Sequence, residues 1–293
     1  MKIGLVGLGR MGRAIQARLA DQGFDVVGWD RNAVAMKLAA ERGMTIAAHP
    51  RAVADGADTV ISIITEDHGV RNIFRGQDGF LSGDVRGKLF IEMSTLQPIT
   101  GRELAPVVEA AGASLIESPV LGSIPTAREG KLFALAGGKA EDLERARPVL
   151  EKLTRKITHM GGNGAGYAMK LAVNLGLAAT IQATAESLAL GSREGLSMQQ
   201  MIDVLGEAPT ANAWFAAKKG LLMGEDADIT LDLKTLRKDI MSVVATGALS
   251  GTGLPLSAGV LTALSAAVAQ GWGGKDIGEL ARFFREHMGQ KFD

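Results

Sequence analysis

The chain has 293 residues, 46% of them hydrophobic and 22% charged, which places it among folded proteins with enough length for two domains. Its 32 basic and 32 acidic side chains cancel, so it lacks the positive field that gathers polyanions, and no nucleic-acid partner is expected. The absence of cysteine excludes disulfides, thiolate metal sites and a cysteine nucleophile; no metal site is expected, and a reducing compartment fits.

From the N-terminus to about residue 160, short β-rich runs alternate with amphipathic helical stretches. The strands are expected at Lys2 to Val6, Asp25 to Trp29, Thr59 to Ile63, Lys88 to Met93, Ser114 to Glu117, Leu132 to Ala136 and Lys156 to Met160. Helices are expected between them at Met11 to Gln22, Ala33 to Arg42, Pro98 to Ala111 and Ala140 to Leu153. The alternation predicts an α/β, doubly wound, largely parallel sheet. Nothing at the start has the pattern of a signal peptide, and a cytoplasmic location is expected.

The texture changes at Gly161-Gly162-Asn163-Gly164-Ala165-Gly166, read as a flexible junction, with a first domain over 1–163 and a second over 164–293. Beyond it the pattern is helical: Tyr167 to Arg193 as one long helix, then Ser197 to Leu205, Asn212 to Met223, Leu231 to Leu249, Leu256 to Gln270 and Ile277 to Met288. The second domain is therefore expected to be all α. From Ile240 to Gly274 no residue is charged, yet Gly251 to Pro255 splits this stretch below the roughly 20 apolar residues of a spanning helix, so no membrane association is expected. Two buried helices fit better, packed within the monomer or against a second subunit.

Gly7-Leu8-Gly9-Arg10-Met11-Gly12 follows a strand and opens a helix, and Asp30 ends the next strand. The first glycine permits a tight turn, the second lets backbone approach a pyrophosphate, and the third lets helix and strand pack. The helix N-terminus offers N–H groups and partial positive charge to the anion. Asp30 can accept from an adenosine ribose and favours NAD, while Arg31 and Asn32 could accommodate the extra phosphate of NADP. Glycine trios also occur in ordinary tight turns. Ile64 and Thr65, at the end of the third expected strand, join the cofactor candidates.

Lys170 and Asn174 lie four apart on the long helix, on one face, and are expected to look into a cleft between the domains. A lysine there can give a proton to a carbonyl oxygen as hydride arrives at carbon, and take it back in the oxidation direction; desolvation would favour its neutral form. Asn174 can hold the same oxygen without adding charge. Lys170 could instead be a solvated surface residue, but the surrounding apolar run from Met169 to Ile181 is that expected of a buried helix.

These pieces, with Met93-Ser94-Thr95-Leu96-Gln97-Pro98, Glu117-Ser118-Pro119-Val120-Leu121-Gly122-Ser123, Gly164-Ala165-Gly166 and Lys238-Asp239, resemble the β-hydroxyacid dehydrogenases across nearly the whole chain. The resemblance implies a Rossmann-like N-terminal domain, an all-α C-terminal domain for substrate and oligomerisation, a long interdomain helix, NAD or NADP as cofactor, and a small carboxylate substrate of the 3-hydroxy acid or semialdehyde class. A homodimer or homotetramer is expected. It further implies that Ser94 and Thr95 lie by the nicotinamide ribose, that Gly122 and Ser123 cradle the substrate carboxylate with backbone N–H groups, that Lys170 is the general acid/base, and that Lys238 closes on the cofactor with Asp239 nearby. Ser94-Thr95 could also cap the helix after Pro98, and Ser118 to Gly122 could be a plain strand end and turn. Leu121 stands where the family usually has a serine, and Leu231 where many members have a phenylalanine; both widen an apolar pocket. Imine reductases share the architecture but usually carry an acid or a tyrosine where Lys170 stands. A noncatalytic dinucleotide-binding regulator is the reading from another class.

Overall fold

The computed structural model describes residues 2–287 and divides the chain into two compact units between Leu171 and Ala172. In the first unit, β1 (Lys2–Val6) lies between β2 (Asp25–Trp29) and β4 (Thr59–Ser62), with β3 (Thr45–Ile46) outside β2, and β5 (Leu89–Glu92) and β6 (Ser114–Glu117) beyond β4. These six strands are mutually parallel in the order 3-2-1-4-5-6, the doubly wound Rossmann arrangement. β7 (Val120–Leu121) and β6 both run antiparallel to β8 (Leu132–Gly137), whose other partner, β9 (Thr154–Gly161), is parallel to it.

Successive side chains on each strand point to opposite faces, and both faces are covered. Ile3 and Leu5 of β1, Ile61 of β4 and Ile91 of β5 enter one apolar cluster with Ile15 and Leu19 of α1 (Arg10–Asp21), Ala35 and Ala39 of α2 (Ala33–Ala40), and Leu143 and Leu150 of α7 (Ala140–Leu153). Val6, Val60 and Phe90 enter the other, with Val53 of α3 (Pro50–Asp55), Phe74 of α4 (Asp67–Arg75) and Leu104 of α5 (Pro98–Ala110). Each fully buried aliphatic or aromatic side chain contributes about 1.5–3 kcal/mol. The expected strands and helices of this half all form, with ends moved by a residue or two; β3, β7, α3, α4 and α6 (Ile124–Arg128) were not expected. β3, β7, α3 and α6 are too short to establish a period of their own.

The junction before α8 (Ala165–Arg193) is packed, contrary to the flexible linker expected. Gly164 has φ +94°, and a Cβ there would stand 2.7 Å from Arg102 Nε; a Cβ on Gly166 would press on the Leu135 carbonyl. These glycines allow close approach. The long helix is also not buried all round: Ala168, Met169, Ala172 and Gly176 are exposed.

In the second unit α8 continues, followed by α9 (Met198–Glu207), α10 (Ala213–Met223), α11 (Leu233–Ser250), α12 (Pro255–Ala269) and α13 (Leu280–His287). The expected helix Ile277 to Met288 divides into a 3₁₀ turn, Ile277–Glu279, and α13, and Met288 lies outside the described residues. The uncharged stretch forms the second half of α11 and all of α12, with Gly251 at φ +71° closing the first and Pro255 opening the second. Among the described residues no helix is long and apolar enough to cross a membrane.

Candidate active site

The strand order reverses between β1 and β4, so a crevice opens at their carboxyl ends. There lies a pocket of about 230 Å³ whose walls include Gly7, Gly9, Asp30, Arg31, Ile64 and Thr65. The three glycines have separate physical reasons. Gly7 has φ +102°, and a Cβ on it would strike the Ile63 carbonyl; a Cβ on Gly12 would strike the Gly7 carbonyl. A Cβ on Gly9 would meet nothing within 4 Å, so backbone there faces open space. Gly9 is the N-cap of α1, and no side chain caps that helix. An uncapped helix start beside bare backbone fits the pyrophosphate of a dinucleotide.

Two other residues of the loop serve the fold. Leu8 is fully buried, Met11 packs against the same core, and Arg10 is exposed on a separate groove along α1. Asp30 holds the loop: its carboxylate accepts the Leu8 N–H at 2.6 Å and the Asn32 N–H at 2.7 Å. The Asn32 side chain caps α2, accepting from Val34 N at 2.9 Å and Ala35 N at 3.4 Å, which leaves exposed Arg31 as the group better suited to a second phosphate. Glu66, His68 and Asn72 also line the pocket and were not expected. The amphipathic triplet Val70, Ile73 and Phe74 was the available signal for their helix.

Ser94 is buried, and its hydroxyl accepts the Ile64 N–H at 2.8 Å while donating to Glu92. Neither Ser94 nor Thr95 caps α5, contrary to the capping alternative. The N-cap is Gln97, with no side-chain cap, and Asp67 braces this end by accepting from Gln97 N at 3.0 Å and from Thr100 Oγ1.

The candidate carboxylate loop follows β7. Gly122 has φ +141°, and a Cβ there would crowd Thr126 Oγ1 and Leu132. The Ser123 N–H was expected to join an anion cradle; it instead donates to Thr126 Oγ1 at 2.7 Å, in a capping box that starts α6. The Ser123 side chain forms the other half of that box, accepting from the Thr126 backbone. Leu121 is half-buried beside Gly122. Lys170 reaches this loop, its Nζ donating to the Val120 carbonyl at 2.9 Å.

One turn further along α8, buried Asn174 donates from Nδ2 to Asp239 Oδ2 at 2.8 Å, and Lys238 Nζ stands 2.6 Å from Asp239 Oδ1. Leu231 is half-buried in the segment before α11. That segment is fixed: Leu233 N–H donates to Lys275 O, Ile277 N–H donates to Leu231 O, and buried Asp276 accepts from Thr230 N at 2.9 Å and from buried Lys218 at 2.8 Å. Among the described residues no cluster of three or more histidine, aspartate or glutamate side chains could hold a metal ion.

Residues 2–162 match the family model described as the NAD binding domain of 6-phosphogluconate dehydrogenase, and residues 164–284 match that described as NAD-binding of NADP-dependent 3-hydroxyisobutyrate dehydrogenase. The chain belongs to the β-hydroxyacid dehydrogenase family. It is 36% identical to the 3-hydroxyisobutyrate dehydrogenase of Pseudomonas aeruginosa over 210 residues, 72% of this chain and 70% of that protein. It is 28% identical to glyoxylate/succinic semialdehyde reductase 1 of Arabidopsis thaliana over 98% of this chain and all of that protein. A solved structure of Mycobacterium tuberculosis 3-hydroxyisobutyrate dehydrogenase with L-serine superposes with a TM-score of 0.84 at 29% identity, covering 97% of this chain and 99% of that one. Like the rest of the β-hydroxyacid dehydrogenase family, the chain is an NAD(P)-dependent oxidoreductase acting on CH–OH groups.

Proposed function

We propose that this β-hydroxyacid dehydrogenase interconverts a small 3-hydroxy acid and its semialdehyde or keto acid, with Lys170 managing the proton at the reacting oxygen. The observation that carries this reading is the 2.9 Å hydrogen bond from Lys170 Nζ to Val120 O, which places an amine beside the loop holding Leu121, Gly122 and Ser123. The nicotinamide, when bound, supplies or accepts the hydride. Lys170 donates a proton to the carbonyl oxygen in reduction and recovers it from the hydroxyl in oxidation, while the Val120 carbonyl aims the ammonium group. The Gly122 backbone and Ser123 hydroxyl hold the substrate carboxylate, apolar Leu121 shapes the space around its chain, and the family resemblance assigns Leu231 to substrate selection. Gly7, Gly9 and the start of α1 receive the pyrophosphate, with Leu8, Arg10, Met11 and Gly12 setting the backbone around it. Asp30 meets the ribose; Arg31, Ile64, Thr65 and Thr95 line the rest of the cofactor's path, and the family resemblance assigns Lys238 and Asp239 to the cofactor as well.

The two functional halves are residues 1–163 for the dinucleotide and 164–293 for substrate and assembly. Leu190, Met241, Leu249 and Leu256, all exposed, supply apolar surface for a homodimer or homotetramer. A cytoplasmic location agrees with a chain free of cysteine.

The test is steady-state screening of three-to-six-carbon hydroxy acids and semialdehydes, with cyclic imines as the contrasting class, using NAD and NADP. Turnover of a hydroxy acid or semialdehyde is expected. Reduction of imines alone would move the chain to imine chemistry, and normal dinucleotide binding without any turnover would make it a regulator.

A further inference from the structure

Two buried carboxyl groups lie under the edge of the cofactor pocket, and the proposed reaction uses neither. Glu92 ends β5, Glu117 ends β6, and the two are register partners on adjacent strands. Glu92 Oε2 accepts the Ser94 N–H at 3.0 Å and the Tyr167 hydroxyl at 2.7 Å; Oε1 accepts the hydroxyls of Ser94 and, at 3.4 Å, Ser62. The Ser94 hydroxyl in turn receives the N–H of Ile64, a wall of the pocket. Glu117 Oε1 accepts the N–H of Gly164, just before α8, and Tyr167 lies in the first turn of α8, three residues before Lys170. The fit is close: a Cβ on Gly101 of α5 would overlap Glu117 Oε1 and stand 2.9 Å from the Tyr167 ring.

Well-packed apolar residues would commonly fill such a space at no loss of stability, whereas a buried polar chain is costly unless every member is satisfied. What this chain joins accounts for its presence. We propose that Glu92, Tyr167 and Glu117 are positioning residues that fix the Ile64–Ser94 edge of the cofactor pocket to the first turn of α8, and through it Lys170. The Lys170 half of this proposal rests on the reading given under Proposed function; the Ile64–Ser94 half does not.

Burial, partly offset by hydrogen bonds from Ser94 and Tyr167, pushes Glu92 up to about 7. Burial does the same to Glu117, to about 7, with repulsion from Glu92 adding to it. The groups facing the cluster are these two carboxyls from the sheet, Tyr167 from α8 and Asp67 from α4. A proton added to Glu92 turns an acceptor into a donor where Ser94 N–H and Tyr167 O–H both need acceptors. The pocket edge therefore changes its hydrogen bonding near neutral pH.

The experiment measures NADH affinity by fluorescence from pH 5.5 to 8.5 in the full chain and in Glu92→Gln and Tyr167→Phe, with melting temperatures alongside. His68 lines the same pocket, so the comparison between variants decides rather than the native curve. About a threefold part of the native pH dependence is expected to vanish in Glu92→Gln, and the inflection to move upward by about one pH unit in Tyr167→Phe, which loses a donor to the ionised carboxylate. In a substrate that turns over, both variants are expected to lose about tenfold in kcat with KM nearly unchanged. Variants that fold with native pH dependence of NADH affinity overturn the proposal. Where Glu92→Gln fails to fold, Tyr167→Phe decides on the same readout. Failure of the native protein to turn over any substrate would strike Lys170's role and leave the NADH arm standing.

Discussion

Lys170 Nζ donates to the carbonyl of Val120 at 2.9 Å, tying the second turn of α8 to a two-residue strand that leads straight into Gly122. The amine and the loop from Leu121 to Ser123 are thus held at a fixed separation before any ligand arrives, which is the preorganisation that the proposed acid/base role requires.

Lys170→Ala is expected to lower kcat by about 10²–10⁴ while dinucleotide affinity stays near native, because the change deletes proton transfer and leaves the glycine loop intact. Lys170→Arg should not restore turnover, since guanidinium does not give up its proton. Turnover close to native in the alanine variant would remove Lys170 from the mechanism.

Asp30 braces the Leu8 and Asn32 amides, and the proposed function also gives it the ribose. Asp30→Ala is expected to weaken NAD about tenfold and NADP less, because the carboxylate it removes also repels a 2′-phosphate. Titration with each dinucleotide distinguishes this from equal losses, which would make Asp30 a brace alone.

Gly9 and Gly12 should separate stability from binding. Gly12→Ala forces a methyl group into the Gly7 carbonyl and is expected to cost about 1–3 kcal/mol in denaturant unfolding. Gly9→Ala meets open space in the fold and should keep the native melting temperature while losing dinucleotide affinity. A destabilised Gly9→Ala with native affinity would reverse the assignment.

Glu117 provides a stability test. Its folded-state value, pushed up to about 7 by burial, lies above its ordinary 4.5, so the stability it contributes is present below about 4.5 and is lost as pH rises through 7. Glu117→Gln keeps the shape without the charge. Its melting temperature should match the native one at pH 4.5 and exceed it at pH 8; a constant difference across that range would show that burial does not raise Glu117 in the fold.

The sheet was legible in the sequence because both its faces are buried, so strands such as Thr59-Val60-Ile61 read as unbroken apolar runs bounded by turns. The glycine loop was legible because each glycine answers a steric demand of the backbone. The pocket's far wall was not. His68 and Asn72 sit on a nine-residue helix that a single amphipathic triplet announces. Nor does spacing alone reveal that the Ser123 amide is spent on a helix cap, because the competing acceptor, Thr126, becomes its neighbour only once α6 has formed. The Glu92–Tyr167 contact joins residues 75 positions apart, a pairing that no local pattern encodes.

The Lys218–Asp276 pair has a consequence for how this chain diversifies. Because buried Asp276 anchors Thr230, and backbone bonds tie Leu231 to Ile277 and Leu233 to Lys275, exchanging Leu231 for a larger or smaller side chain alters volume without dragging the main chain along. Under the proposed function, selection can therefore retune which acids are accepted at that point by single codon changes.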